Sequence, residues 1–256
     1  MKTNALGFIG GGRITKIFLN AFTNAEVELQ SVVVYDSNPE VLASLKEQFP
    51  FIETGELLHA ASQQTVFIAL HPPVIMETLD IIAEVISEET ELISLAPKIT
   101  IEKIASKVSS KYIARIIPNA TSYINEGYNP IAFAPDMEKE DRKEIKKLLK
   151  PLGKTIETEE SKLEGYAIVS AMLPTYFWFQ IQELEKIAQQ IGLTDEEASK
   201  TVKSTLKCAM KLYFDSGLTP SEAMDLIPVK PIGEHETEIR EIYQTKLMGL
   251  YEKIKA

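Results

Sequence analysis

Up to about residue 155, short β-branched runs alternate with stretches whose apolar positions recur at helical spacing. The runs Asn4–Ile9, Ser31–Tyr35, Thr65–Leu70, Glu91–Ser94, Ala114–Ile117 and Ile131–Ala134, with a weaker one at Thr155–Ile156, read as strands. Between them Arg13–Thr23, Pro39–Gln48, Pro73–Ile86 and Ile101–Ser106 read as amphipathic helices. Three of these carry start signals: Asn38 before Pro39, Pro72 before Pro73, and Thr100 before Ile101-Glu102-Lys103. Strand–helix alternation predicts a parallel sheet covered on both faces, an α/β doubly wound Rossmann domain.

From about Glu159 no strand-like run survives, and the pattern predicts helices over Leu163–Ile191, Thr194–Ser216, Thr219–Leu226 and Thr237–Lys255. Gly192 closes the first of these, and Thr194 with Glu197 three residues on forms a capping box; Gly217-Leu218-Thr219-Pro220 repeats the punctuation. The expected division is a dinucleotide-binding domain over residues 1–158 and an all-α dimerisation and substrate domain over 159–256. The middle of the first long helix, YAIVSAMLPTYFWFQI, is apolar almost all round and needs a partner. A second copy of the chain is the simplest one, so a homodimer through the C-terminal helices is expected, with larger assemblies open.

Composition adds mainly exclusions. At 45% hydrophobic and 25% charged the chain is ordinary for a soluble protein. No apolar run approaches the roughly 18 residues of a membrane span, and the apolar residues of MKTNALGFIGGG lead into a glycine turn instead of a cleavage site, so a cytoplasmic location is expected. A net charge of −10 argues against a nucleic-acid surface, and the lysines of EKEDRKEIKKLLKP alternate with acids as on a solvated helix face. Cys208 is the only cysteine, which excludes an intrachain disulfide and a cysteine metal cage; in TLKCAMKLY it reads as a small core residue. No His/Asp/Glu spacing suggests a metal, and no serine stands in a nucleophile elbow.

The segment ALGFIGGGRIT follows a strand and opens a helix, the context in which a glycine motif carries weight. Gly10 permits a tight turn, Gly11 continues it, and Gly12 lets the backbone approach a pyrophosphate. The helix beginning at Arg13 and Ile14 aims its N-terminal N–H groups at that anion. Thr15 stands where the motif wants a small residue between helix and sheet, an imperfect match. The second strand ends in VVVYDSNPE, which places Asp36 to accept hydrogen bonds from the adenosine ribose and to repel a 2′-phosphate. NAD(P)H is thus the expected cofactor, with NADH slightly favoured. Ser37 and Asn38 would serve a phosphate if Asp36 turned away; Arg13 would do so too, or is simply a solvated arginine.

GFIGGGRIT, IALHPP, RIIPNATSYINEG, YAIVSAMLPTYFWFQIQELEKIAQQIGLT and FDSGLTPSEAMDLI, in that order from about Leu6 to about Pro231, together resemble pyrroline-5-carboxylate reductase. The resemblance implies a nicotinamide-binding N-terminal domain, a helical domain that interlocks two subunits, and reduction of the cyclic imine pyrroline-5-carboxylate to proline. It puts Leu70, His71 and Pro72 in a cofactor-lining segment that is Val-Lys-Pro in the family, and Ala96 in the strand-end loop beside the nicotinamide. It puts Pro118 and Asn119 in a Met-Pro-Asn turn at the floor of the active site, and Pro174 and Tyr176 in the Pro-Ala-Tyr that starts the dimer-forming helix.

The departures from the family concentrate on the substrate side. Ser-Gly-Ser-Gly-Pro-Ala-Tyr reads Ser170-Ala171-Met172-Leu173-Pro174-Thr175-Tyr176, and Ala-Ala-Gly reads Ala96-Pro97-Lys98. The Ser-Pro-Gly-Gly-Thr-Thr loop that holds the substrate carboxylate reads Val229-Lys230-Pro231-Ile232-Gly233-Glu234-His235, with neither threonine. Imine reduction asks mainly for positioning, with a donor near the nitrogen helpful if the imine binds neutral. Candidates for that donor, or for pairing a carboxylate, are His235, Lys230 and Lys98, and Asn119 is a candidate for orienting the nicotinamide amide or substrate. Each has an ordinary alternative: His235 as a solvated helix-start histidine, Asn119 as a turn residue, His71 as a residue merely packed at the cofactor edge. Two functions follow: a reductase of this imine or a related small imino or oxo acid, or a catalytically degenerate dinucleotide-binding dimer that senses or scaffolds. A hydroxy-acid dehydrogenase would want a lysine on the early apolar part of Leu163–Ile191, where none stands.

Overall fold

The computed structural model describes residues 4–255. The chain separates into two compact units, one taking in the residues up to Met172 and again from Leu250, the other Leu173–Gly249.

The first unit is built on an eight-stranded sheet: β1 (Ala5–Ile9), β2 (Ser31–Tyr35), β3 (Glu53–Thr54), β4 (Thr65–Ile68), β5 (Glu91–Ser94), β6 (Tyr112–Ile116), β7 (Gly127–Phe133) and β8 (Gly153–Glu157). Their order is β3-β2-β1-β4-β5-β6-β7-β8, and every pair is parallel except β6 with β7. The helices of this unit are α1 (Arg13–Asn24), α2 (Pro39–Gln48), α3 (Leu57–Ala61), α4 (Pro72–Ile82), α5 (Ile101–Ala105), α6 (Lys139–Leu148) and α7 (Leu163–Tyr166). This is the expected doubly wound α/β arrangement. Asn38 caps α2, its side chain accepting from the Glu40 N–H, with Pro39 next; Thr100 likewise caps α5 by accepting from Lys103.

Alternate residues of the central strands feed two cores, as a sheet buried on both faces requires. Phe8, Val34 and Phe67 belong to one, Ile9, Val33 and Ile68 to the other. In the first, Phe8 and Phe67 stack at 4.7 Å between centroids, and Phe18 of α1 meets Phe67 edge-on at 5.5 Å. Each such fully buried ring contributes about 1.5–3 kcal/mol, so α1, and the turn before it, is fixed to the sheet.

Two departures from the sequence pattern matter for the site. The predicted helix Leu163–Ile191 is broken: after α7 the chain makes a π-helical turn over Ala167–Ala171 before α8 (Leu173–Gln190). Pro174 explains the break, because it has no N–H for the Ser170 carbonyl four residues back and its ring crowds that oxygen. The Met172 N–H reaches instead to the Ala167 carbonyl. The units also part at Met172, not at residue 158, because the intervening segment is built into the sheet's packing. Leu163 and Glu164 are buried there, as are Ala167 and Ile168.

The second unit holds α8, α9 (Asp195–Asp215), α10 (Pro220–Asp225) and most of α11 (Glu236–Ile254). The capping box of Thr194 with Glu197 forms as expected, and Thr219 with Glu222 makes another. Hydrogen bonds from the Thr194 and Thr219 backbones hold both glutamates below the usual carboxylate range. Among the described residues of this unit only Ala198 is buried. Cys208, expected in a core, is instead exposed on α9.

Candidate functional site

In the strand order β1 lies between β2 and β4, so the chain turns opposite ways on leaving the two central strands, and a crevice opens at their C-terminal ends. The turn after β1 is one wall. Gly10 has φ +109°, and a Cβ there would lie 2.4 Å from the Ala69 carbonyl oxygen, so only glycine fits. Its N–H donates to the Tyr35 carbonyl at 2.7 Å. The Gly11 N–H donates to Asp36 Oδ2 at 2.8 Å, while the Asn38 N–H donates to Asp36 Oδ1 at 2.9 Å. Asp36 therefore ties the glycine turn to the end of β2 with both carboxylate oxygens.

Gly12 precedes α1 with extended backbone and no side-chain cap, and a Cβ on it would meet nothing within 4 Å. Gly12 and Arg13 are exposed and Ile14 half-buried, so the uncapped, positive end of a twelve-residue helix opens on the crevice. An anion fits this end. Thr15 turns out to be more than tolerated: fully buried, it donates from Oγ1 to the Gly10 carbonyl at 2.5 Å and so locks the turn from below. Ser37 and Asn38 are exposed at the end of β2, and the Asn38 side-chain oxygen is engaged in capping α2.

Across the crevice, Leu70 is half-buried and His71 exposed. Helix α4 begins at Pro72, one residue earlier than expected, and His71 precedes it without a side-chain capping bond. Ala96 is buried in the loop after β5, where the Leu95 N–H donates to the Ile68 carbonyl at 3.0 Å. Two residues on, Lys98 sits in the left-handed region at φ +74°, where the family resemblance would put glycine.

What holds this loop is not visible in the sequence pattern. Arg115 of β6 is buried to 1% exposure, its Nη1 donating to Glu160 Oε1 at 2.7 Å and its Nη2 to Glu164 Oε1 at 2.5 Å. The same two carboxylates accept from loop backbone, Glu164 from the Lys98 N–H at 3.1 Å and Glu160 from the Ile101 N–H at 2.7 Å. Arg115 Nη2 also lies 3.4 Å from the Ala96 carbonyl. The available signal was an arginine inside the apolar run YIARII, a charge that a buried strand tolerates only with partners.

Pro118 is half-buried and Asn119 buried, at the end of the chain leaving β6. The Asn119 amide is fully engaged. Its Oδ1 accepts from Thr121 N and Oγ1 at 2.9 and 2.8 Å, and its Nδ2 donates to the Ser170 carbonyl and hydroxyl at 3.0 and 3.2 Å. An amide has two donors and two acceptor lone pairs, so this geometry makes Asn119 a holder of the turn and leaves nothing for a cofactor or substrate amide. Its Ser170 partner is the carbonyl that Pro174 freed.

The remaining candidates lie in the second unit. Pro174 and Tyr176 are half-buried in the first turn of α8; Tyr176 meets Tyr243 edge-on at 6.0 Å, and burial raises its phenol above the ordinary value. Lys230 is exposed. His235 is exposed as well, 3.6 Å from carboxylates of both Glu234 and Glu238, the solvated helix-start setting that was its ordinary reading. No helix among the described residues is long and apolar enough to cross a membrane.

Sheet order, glycine turn and the acid after β2 define a Rossmann-type α/β fold, followed by a helical C-terminal part. A family model described as NADP oxidoreductase, coenzyme F420-dependent, matches residues 5–98. The chain is 22% identical to a pyrroline-5-carboxylate reductase of Corynebacterium melassecola, covering 96% of this chain and 93% of that one. It is 25% identical to pyrroline-5-carboxylate reductase 2 of Bacillus subtilis (strain 168) over 94% and 87%. The solved structure of Plasmodium falciparum pyrroline carboxylate reductase, which has NADP bound, superposes with a TM-score of 0.78 at 19% identity, covering 99% of this chain and 96% of that one. Along almost its whole length the chain is thus similar to pyrroline-5-carboxylate reductases, at 22–25% identity in sequence and with the same fold.

Proposed function

We propose that this protein is an NAD(P)H-dependent reductase of a small cyclic imine or related imino or oxo acid, with pyrroline-5-carboxylate, reduced to proline, as the first substrate to test. The observation that carries the reading is the glycine turn: Gly10 at φ +109° under the Ala69 carbonyl, with Gly12 open at the uncapped start of α1. When bound, the nicotinamide supplies a hydride. The chain's own residues do the rest. Gly10, Gly11, Gly12, Arg13 and Ile14 present backbone N–H groups and a helix end to the pyrophosphate, and Asp36 faces the adenosine ribose. Within the first unit, Leu70, His71, Pro72 and Ala96 are assigned to the nicotinamide half and Pro118 to the substrate side, the turn at Pro118 being fixed by Asn119; in the second unit, Pro174 and Tyr176 are the substrate candidates that the resemblance supplies.

A preference for NADH over NADPH is supported by the two hydrogen bonds that fix Asp36, since turning it away from a 2′-phosphate would break both. A homodimer is supported by the apolar side chains that the second unit exposes, Phe179 at 65% and Phe214 at 76% among them. Lys98, Lys230 and His235 remain the candidates for a proton or a carboxylate partner.

The test supplies purified protein with NADH or NADPH and pyrroline-5-carboxylate and follows dinucleotide oxidation. Turnover is expected, faster with NADH. Dinucleotide binding without turnover would remove this substrate; absence of binding would remove the reading altogether. The engaged amide of Asn119 and the altered Val229–His235 loop favour one second reading, a dinucleotide-binding dimer without catalysis, which predicts tight binding and no turnover with any imine.

A further inference from the structure

The geometry points to Arg115, Glu160 and Glu164 as positioning residues for the nicotinamide half of the cofactor site, acting through the Ala96–Ile101 loop. The inference rests on the dinucleotide reading above and goes beyond it. In a doubly wound sheet of this order the adenosine half lies over β1–β3 and the nicotinamide half over β4–β6, so the loop leaving β5 borders the reacting ring. Three backbone groups of that loop are held by charged side chains: the Ala96 carbonyl faces Arg115, the Lys98 N–H bonds Glu164 and the Ile101 N–H bonds Glu160. Arg115 and Glu164 are both almost wholly buried, where a charge is kept only if its partners are fixed.

The loop pays for this attachment with strain. Lys98 holds φ +74°, a conformation that an L-residue with a long side chain adopts only when its surroundings impose it. In that conformation its N–H donates to the Glu164 carboxylate at 3.1 Å. Glu160 and Glu164 come from the segment that also supplies Ser170 to Asn119, so residues 160–170 hold both the β5 loop and the β6 turn. The glycine turn and Asp36 share no contact with this cluster in any of the hydrogen bonds that define them. The cluster should therefore act on one half of the dinucleotide and leave the other alone.

The experiment compares the full chain with the double variant Arg115→Met/Glu164→Met, in which apolar side chains of similar length replace the buried pair and Glu160 remains able to hold Ile101. Affinities for NADH, NADPH and ADP-ribose, which lacks the nicotinamide, are measured by titration. The expected result is a loss of at least about tenfold for the dinucleotides with ADP-ribose changed less than about twofold. Equal loss for all three ligands would mean that the cluster only supports the fold, and unchanged dinucleotide affinity would mean that it does not position the loop; either overturns the inference. Glu164→Gln, which keeps an acceptor for Lys98 but removes the charge, carries the same comparison if the double variant does not fold, with a dinucleotide loss of about threefold expected and none for ADP-ribose. If the unaltered protein bound ADP-ribose but neither dinucleotide differently from it, the inference alone would fall. If it bound none of the three, the functional reading would fall with it.

Discussion

The Gly11 N–H donates to Asp36 Oδ2 at 2.8 Å, which joins the glycine turn to the residue proposed to read the ribose. Asp36 thus has two consequences, one through its charge and one through the turn it holds. Replacing it with serine removes the repulsion toward a 2′-phosphate and also frees Gly11 and Asn38. Asp36→Ser is expected to weaken NADH binding about tenfold, the worth of one charge-assisted hydrogen bond, and NADPH binding less, so that the preference for NADH narrows. Titration of both dinucleotides checks this; an unchanged NADH to NADPH ratio would show that Asp36 does not read the ribose.

Gly10 and Gly12 separate folding from binding. A methyl at Gly10 would lie 2.4 Å from the Ala69 carbonyl oxygen on a backbone at φ +109°, so Gly10→Ala is expected to cost about 2–4 kcal/mol of stability. A methyl at Gly12 meets nothing within 4 Å, so Gly12→Ala is expected to change stability by less than about 1 kcal/mol. The same methyl occupies the space where a pyrophosphate would approach α1, and dinucleotide affinity is expected to fall at least about tenfold. Denaturant unfolding and titration measure the two effects. A Gly12→Ala protein that binds normally would move the pyrophosphate elsewhere.

What the sequence showed and what it hid divide along physical lines. Ser31–Tyr35, Glu91–Ser94 and Pro39–Gln48 could be bounded to the residue because β-branched runs end at turns and Asn38-Pro39 starts a helix by local chemistry. β3 escaped, being two exposed polar residues paired only with β2. The break before α8 escaped because the apolar run continues unbroken through Pro174, and the partner that satisfies the freed Ser170 carbonyl, Asn119, lies 51 residues away in sequence. Thr15 read as a blemish because its hydroxyl's partner, Gly10, lies across the turn and is visible only in three dimensions. The Arg115 cluster joins residues 45 and 49 positions apart, a separation no local pattern reports. The glycine turn and the end of β2 are local and were legible; the β5 loop and the β6 turn are held by long-range contacts and were not.

The apolar faces of the second unit carry a prediction about assembly. Phe177, Trp178 and Phe179 stand exposed on α8, and Phe214 and Val229 reach 76% and 73% exposure further on. Soluble chains rarely leave so many large side chains in water, and a second copy would bury them. Light scattering is expected to give a dimer or a multiple of it, and Phe179→Glu with Phe214→Glu is expected to shift the protein toward monomer. A monodisperse monomer of the unaltered chain would refute the proposed interface.

Glu157, at the end of β8, provides a pH signature for the first unit. Lys146 Nζ and Arg142 Nη1 each lie 2.9 Å from one of its carboxylate oxygens. The Lys146 hydrogen bond, helped by that of Arg142 and opposed by partial burial, holds the carboxyl below its ordinary value of 4.5. A carboxyl lowered on folding adds stability that is fully present above its unfolded value and disappears as pH falls through the folded one. Because the group is more than a third exposed, solvent screening limits the effect to about 0.5–1 kcal/mol. Glu157→Gln is therefore expected to lower the unfolding midpoint near pH 7, by less in high salt, and the gap is expected to close as pH falls from the ordinary carboxylate value through the lower one of the folded state. A gap that stayed constant across that range would assign the loss to packing, and the ion pairs of Arg142 and Lys146 would then contribute nothing to holding β8 against α6.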